Sequence, residues 1–293
     1  LGLKAMKELQ EINPQPDTAS DDQIMFLVIN ASAVTVIPTA IMTYRAQMGA
    51  ADPTDVFLPL LIATFCSTIT GIMTVAWAQG LNLWNRVTLG YLGSAATVIG
   101  LMCAYFGGLD KASLERQTSL VANLLILSLI VAFILLAVRK GVAVYETFIE
   151  GAKEGFTTAI GIIPHVVAML VAIGVLRASG VLDQALNVVR LAVDAIGIDG
   201  RWVDALPVAL VRPLSGSGAR GLVIDTMKNF GADSFAGRLA CVIQGSTETT
   251  FYVLAVYFGS VGIKKTRHAI ACGLAAEFAG FLGAVAVSYL FWG

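Results

Sequence analysis

The sequence predicts an all-α integral membrane protein, a multi-span helical bundle, and three observations lead there. Of its 293 residues, 57% are hydrophobic and only 13% charged, where a soluble domain carries roughly a quarter charged residues. Mean hydropathy is +0.78. The charges gather in short clusters between apolar runs long enough to cross a bilayer. A net charge of −1 gives no reason to expect a nucleic-acid partner. Cys66, Cys103, Cys241 and Cys272 fall in separate apolar stretches without ligand spacing, so they read as small buried residues rather than disulfides or metal ligands. No cleavable signal-peptide pattern heads the chain.

The elements follow in order. Leu3, Met6 and Leu9 share one face of a first short helix, which stops at Asn13-Pro14-Gln15-Pro16; Asp17-Thr18-Ala19-Ser20 then reads as a helix start. Spans are expected at 24–44, 56–78, 88–106 and 120–138, the last almost pure Leu, Ile, Val and Ala and hence the most lipid-facing. Residues 142–156 alternate apolar and charged positions and predict an amphipathic interfacial helix. A fifth span at 157–176 contains Pro164 and His165, and the proline predicts a break or kink there. Residues 181–199 are amphipathic, and 205–211 form a short apolar piece. Spans at 235–259 and 269–292 complete the chain. The basic clusters Lys264-Lys265-Arg267 and Arg139-Lys140 place both loops on the cytoplasmic side, which leaves Arg45 on the outside.

Two regions repeat. Val28–Thr35 aligns without gaps on Val242–Thr249, with Val, Ile, Ser and Thr identical, and Asp17 matches Asp233. Each unit reads as a short amphipathic helix, a turn, and a span carrying an amide and hydroxyls. The topology sends the two spans in opposite directions, so they predict inverted repeats with a solute site where they meet near the bilayer midplane.

The polar run Gln244-Gly245-Ser246-Thr247-Glu248-Thr249-Thr250 is the sharpest functional signal. Such groups in hydrocarbon cost several kcal/mol unless partnered. Interhelical hydrogen bonding is the bland reading; a solute or ion site lined by Gln244, Ser246, Glu248 and Thr249, with Asn30, Ser32 and Thr35 from the first repeat, is the functional one. Arg212-Pro213-Leu214-Ser215-Gly216-Ser217-Gly218 breaks any helix, and at membrane depth such backbone must line a cavity or be buried in protein. Its Ser215, Gly216, Ser217 and Gly218 form a candidate re-entrant tip whose N–H groups suit an anionic or hydroxylated ligand; the alternative is an ordinary turn. Arg212 is a candidate ion-pair partner of Glu248. Glu277, inside the last span, and His165 are candidate coupling groups, each with a structural reading as a buried hydrogen-bonding partner.

These residues carry a family resemblance. The Arg212–Gly218 phrase, then Gly237-Arg238-Leu239-Ala240, then Gln244 through Gly259, closely resembles spore maturation protein B, and Gly151-Ala152-Lys153-Glu154-Gly155-Phe156 is similar to the start of that family's unit. Gly2 through Leu9, Asp17-Thr18-Ala19-Ser20 and Phe26 through Asn30 resemble the second half of spore maturation protein A. The resemblance implies an A-like half at 1–138, incomplete at its N-terminus, and a B-like half at 139–293. Both families belong to the nucleoside recognition, or Gate, group of membrane proteins. Membership implies a bacterial cytoplasmic membrane location and a transport-type role, and the helix-breaking 212–218 phrase adds the expectation of broken or re-entrant helices. The expectation is a secondary transporter or permease for a small polar solute, nucleoside-like or an organic acid, driven by Na+ or H+. The alternative is a non-transport scaffold or partner subunit in spore or envelope maturation. No enzyme motif is present (neither HExxH nor an ordered Ser, His and Asp), no metal site or other cofactor is expected, and the 120–138 face offers a surface for a homodimer.

Overall fold

The computed structural model describes residues 2–32, 38–81, 86–107, 111–195, 197 and 199–293; for some residues between 86 and 119 and between 154 and 173 it describes the backbone alone. The described residues fold into helices α1 (Gly2–Glu11), α2 (Asp21–Ala31), α3 (Thr39–Gln47), α4 (Phe57–Ala78), α5 (Arg86–Gly107), α6 (Lys111–Arg139), α7 (Val144–Ala178), α8 (Val181–Ala195), a 3-10 turn at Arg201–Ala205, then α9 (Leu206–Val211), α10 (Gly216–Phe230), α11 (Phe235–Ser246), α12 (Thr250–Ser260) and α13 (Ala269–Trp292). Four described segments are long and apolar enough to cross a membrane: Phe57–Ala78, Leu120–Arg139, Phe235–Ser260 and Ala269–Trp292. The third is interrupted between α11 and α12.

Helices α1–α4 and α10–α13 follow the same order: a short helix, a turn, a serine-capped helix, a short helix and a long helix. Ser20 accepts the Gln23 N–H at the start of α2, and Gln23 returns the bond to the Ser20 N–H at 2.9 Å. Ser234 caps α11 through the Gly237 N–H at 3.0 Å. The caps lie 214 positions apart, the offset that also relates Val28 to Val242.

The long helices α4 and α13 pack antiparallel through the centre. Phe57 and Leu58, at the start of α4, cluster with Val287 and Phe291 at the end of α13. A Cβ on Gly71 would meet that of Ala276 at 3.3 Å, and a Cβ on Gly280 would meet that of Ser67 at 3.2 Å. Gly71 and Gly280 are equivalent, as are Ser67 and Ala276, so a contact and its exchanged copy are both present. That reciprocity is the signature of a twofold relation.

The two ends of the bundle repeat the exchange. At one end, the Lys264 and Lys265 N–H groups both donate to the Asp17 carbonyl at 2.9 Å, and Lys265 pairs with the Asp17 carboxylate at 3.4 Å. At the other, Asp233 accepts from Arg45 at 3.0 Å and from the Ala51 N–H at 2.9 Å. The turn ahead of each serine-capped helix is thus held by the opposite repeat, at opposite ends. Inverted repeats are what the sequence leads one to expect.

Three expected boundaries change. The 24–44 span is two helices, α2 and α3, on either side of residues outside the described set. The interfacial segment 142–156 and the span 157–176 are one continuous helix, α7, whose 35 residues extend about 52 Å, longer than a ~30 Å hydrocarbon core. Its charged first turns therefore have length to spare outside the apolar layer. The backbone stays helical through positions 164 and 165, and the side chain of His165 lies outside the described residues. Finally, the 235–259 span is broken at residues 247–249, because its hydroxyls and carboxylate compete with the helical ladder. Helix α6 is mostly exposed from Leu120 to Arg139, as its uniform apolarity leads one to expect.

Candidate functional site at the broken helix

Thr247 is fully extended (φ −144°, ψ 168°), and Thr249 is extended too (φ −76°, ψ 101°). An interruption here frees backbone carbonyls at the end of α11 and N–H groups at the start of α12, and those groups cannot remain unpaired in a buried setting. The surrounding elements take up several of them. Arg212, which follows α9, donates from Nη2 to the Thr247 carbonyl and from Nη1 to the Thr249 hydroxyl at 3.1 Å. Its Nη2 also lies 3.6 Å from Glu248 Oε2. The Glu248 N–H donates to the Ala31 carbonyl at 2.7 Å, at the end of α2, so one break is hydrogen-bonded to the other repeat. Glu277 on α13 accepts from the Thr250 N–H at 2.9 Å and from its hydroxyl at 2.5 Å. The Phe251 N–H donates to the Pro213 carbonyl at 3.2 Å.

The charges match the helix dipoles. A guanidinium sits at the C-terminal end of α11 and a carboxylate at the N-terminal start of α12, the favourable sign in both places. Both groups are deeply buried, Arg212 with 5% and Glu277 with 7% of its surface exposed. The loop beyond Arg212 packs close, where a Cβ on Gly216 would fall 2.9 Å from the Thr249 hydroxyl, and so does α11, where one on Gly245 would run into the Leu60 side chain. Ser215 caps α10 by accepting the Gly218 N–H at 3.0 Å, and its hydroxyl lies 3.3 Å from that of Ser217.

Two cavities flank the break and share Arg212 and Thr247 in their walls. One, of about 160 Å³, is polar: Arg212, Arg220, Gln244, Thr247 and Glu248 line it with Thr39 and Tyr44 of α3. The other, of about 250 Å³, is walled by Leu206, Leu210, Ile243, Leu274, Phe278 and Phe281, with Arg212, Ser246 and Glu277 among its lining.

Of the residues singled out in the sequence, Gln244, Glu248 and Arg212 meet at the polar cavity, and Ser246, Glu277 and Arg212 at the apolar one. Thr249 and Ser215–Gly218 pack behind the break and line neither. Asn30 and Ser32 also line neither. The Asn30 amide bonds back to the Phe26 carbonyl at 2.7 Å, and its oxygen lies 3.4 Å from the Tyr257 hydroxyl. Ser32 is fully buried, and its hydroxyl donates to the Ile29 carbonyl. Thr35 lies outside the described residues. Sequence reasoning passed over Arg220 and Thr68. Thr68 on α4 donates its hydroxyl to the Ser32 carbonyl at 2.7 Å. Aligning the two long helices on Gly71 and Gly280 would have placed Thr68 opposite Glu277.

A second buried charge cluster joins the repeats at the far end. Arg45, wholly buried, binds Asp55 at 2.8 Å, Asp233 at 3.0 Å, and the carbonyls of Ala232 at 2.6 Å and Asp52 at 3.0 Å. Arg238 donates to the other Asp55 oxygen at 2.8 Å. Arg45 is therefore a buried ion-pair partner, which accounts for a basic residue on the side that the loop charges assign to the exterior. Asp55 precedes α4, and burial pushes its carboxyl up to about 6, against the downward pull of Arg45 and Arg238.

The comparisons with known proteins bear on this region. The nucleoside recognition (Gate) family model matches residues 159–264. Spore maturation protein B of Bacillus subtilis (strain 168) is 47% identical over 172 residues, which cover 58% of this chain and 95% of that protein. The chain belongs to the spore maturation protein B family. Spore maturation protein A of the same organism is 37% identical over 73 residues, 25% of this chain and 37% of that protein. No solved structure matches significantly. In this member of the family, the Gate match contains Arg212, α10, α11, the break and α12, but neither Glu277 nor α3. The walls of both cavities are completed from outside the matched region, by α13 on one side and by the first repeat on the other.

Proposed function

We propose that the chain is a secondary transporter or permease of a bacterial cytoplasmic membrane, binding a small polar solute beside the broken helix. One observation carries this reading: α11 and α12 are interrupted by a threonine–glutamate–threonine run at the meeting place of two inverted repeats, and a polar cavity opens beside it. Broken helices at a repeat interface are where transporters of this architecture hold substrate and coupling ions. Gln244, Glu248, Arg212 and Arg220 would meet the solute, and Glu248 or Glu277 would couple to Na+ or H+. In this reading the halves at 1–138 and 139–293 act as one body, because the site draws on both. No catalytic role is proposed for any residue.

The relatives' names favour a second reading, a membrane scaffold or partner subunit in spore or envelope maturation, with the exposed face of α6 as its contact surface or as a homodimer interface. A thermal-shift screen of the purified chain against nucleosides, bases, amino acids and organic acids, with Na+ and across pH, separates the two. A ligand that binds only the native state raises the melting point by mass action. A shift lost in Glu248→Gln supports the solute site. No shift from any compound, with Glu248→Gln melting like wild type, transfers the case to the scaffold.

A further inference from the structure

We propose that the 160 Å³ cavity takes a small organic anion, a carboxylate, whose charge is met by Arg220 and whose remaining polar edge is met by the Gln244 amide. The proposal rests on the solute-site reading above and names the class of solute.

Two guanidinium groups and one carboxylate line this cavity: Arg212, Arg220 and Glu248. Arg212 is committed to the break, through the Thr247 carbonyl, the Thr249 hydroxyl and Glu248. Glu248 is therefore matched already. Arg220, one turn into α10, has neither a hydrogen bond nor an ion pair with any described residue. An arginine within a membrane protein stays charged and needs a counter-charge or a water-filled space. Among the described residues, the cavity wall thus carries one positive charge beyond what it balances.

Gln244 is an independent observation in the same wall. Only 6% of its surface is exposed, and its Oε1 has no hydrogen-bond partner. A buried amide oxygen left unpaired costs about 1–3 kcal/mol; Oε1 is closed off from the cavity that the rest of the side chain lines, and a turn of the amide that brings it to an N–H or O–H of an occupant would relieve that cost. A carboxylate carrying a hydroxyl, amide or ring N–H satisfies both demands. A single negative charge balances a single guanidinium, whereas a phosphate group of about −2 near neutral pH would leave charge uncompensated in a confined space.

The test pairs each acid with its uncharged amide. Purified full-length protein is melted in detergent at low salt with lactate against lactamide, nicotinate against nicotinamide, and a panel of mono- and dicarboxylates, with uridine and inorganic phosphate as further probes. The expected result is that acids raise the melting point where their amides do not. Arg220→Gln should weaken the apparent affinity for the best acid roughly 10- to 100-fold, the range for a hydrogen bond to a charged group, and Arg220→Lys should restore part of it. Amides or uridine acting as strongly as the acids would overturn the anion assignment while leaving the solute site standing. So would an unchanged response in an Arg220→Gln protein that melts normally. No response to any probe, charged or neutral, would overturn both. Acid binding without uptake into proteoliposomes would keep this inference and remove transport.

Discussion

Glu277 and Thr68 occupy equivalent positions on the two long helices and serve opposite backbone groups. Glu277 accepts the Thr250 N–H at the start of α12, while the Thr68 hydroxyl donates to the Ser32 carbonyl at 2.7 Å, just past the end of α2. One repeat uses an acceptor and the other a donor, because one long helix meets a helix start and the other a helix end. This is where the repeats cease to be copies, and the charge falls on the second.

Glu277→Ala leaves the Thr250 N–H and hydroxyl buried without their acceptor, and is expected to destabilise the fold by about 2–4 kcal/mol. Glu277→Gln keeps a carbonyl in place and should lose only about 1 kcal/mol. Denaturant titration in mixed micelles measures both. Equal losses would mean that the carboxylate's charge, rather than its hydrogen bonds, holds α12.

Arg212 and Glu248 form an ion pair of unequal partners. Arg212→Met removes the donor to the Thr247 carbonyl and should destabilise by about 3–5 kcal/mol. Glu248 is half exposed on the cavity side, so Glu248→Gln should change stability by no more than about 1 kcal/mol. The same titration compares them, and similar losses from both would reassign the pair as the main support of the break.

Asp55 gives a pH signature. Burial holds its carboxyl at about 6, above the ordinary 3.8. As pH falls, the folded protein takes up this proton first, while the unfolded chain stays ionised to near 3.8. Between about pH 6 and 4 the folded state therefore binds more protons, and acidification across that window favours folding through this group; the gain is lost as pH rises through 6. Melting curves from pH 7.5 to 4.5 should show the slope in wild type and a flatter profile in Asp55→Asn. Parallel profiles would mean that Arg45 and Arg238 keep the carboxylate ionised throughout.

The inverted repeats predict sidedness. In a background without native cysteines, Ala51→Cys and Lys265→Cys should react with a membrane-impermeant maleimide from opposite sides of the membrane. Labelling of both from one side would contradict the exchange of Asp17–Lys265 and Asp233–Arg45 across the two ends.

The membrane class, the positions of α4 and α13, the apolar span within α6, the kinship of 28–35 with 242–249 and the polar run that breaks the helix are all legible in the sequence. Each is a local property: an apolar run of sufficient length must be a span, and a dense set of hydroxyls with one carboxylate competes with its own backbone. The tertiary structure decided which of these residues share a cavity. Thr249 and Ser32 read in sequence as equals of Gln244, yet packing against Arg212 in one case and against Gly71 in the other takes both out of the cavity wall. Arg220 carried no motif and gained its meaning only by standing in that wall without a partner. Arg45 read as a misplaced topology signal until Asp55 and Asp233 were found around it. Pairing across nearly two hundred residues depends on how helices from opposite repeats pack. A sequence pattern fixes which face of a helix is polar, but the identity of the groups opposite it is set by the antiparallel packing of α4 and α13.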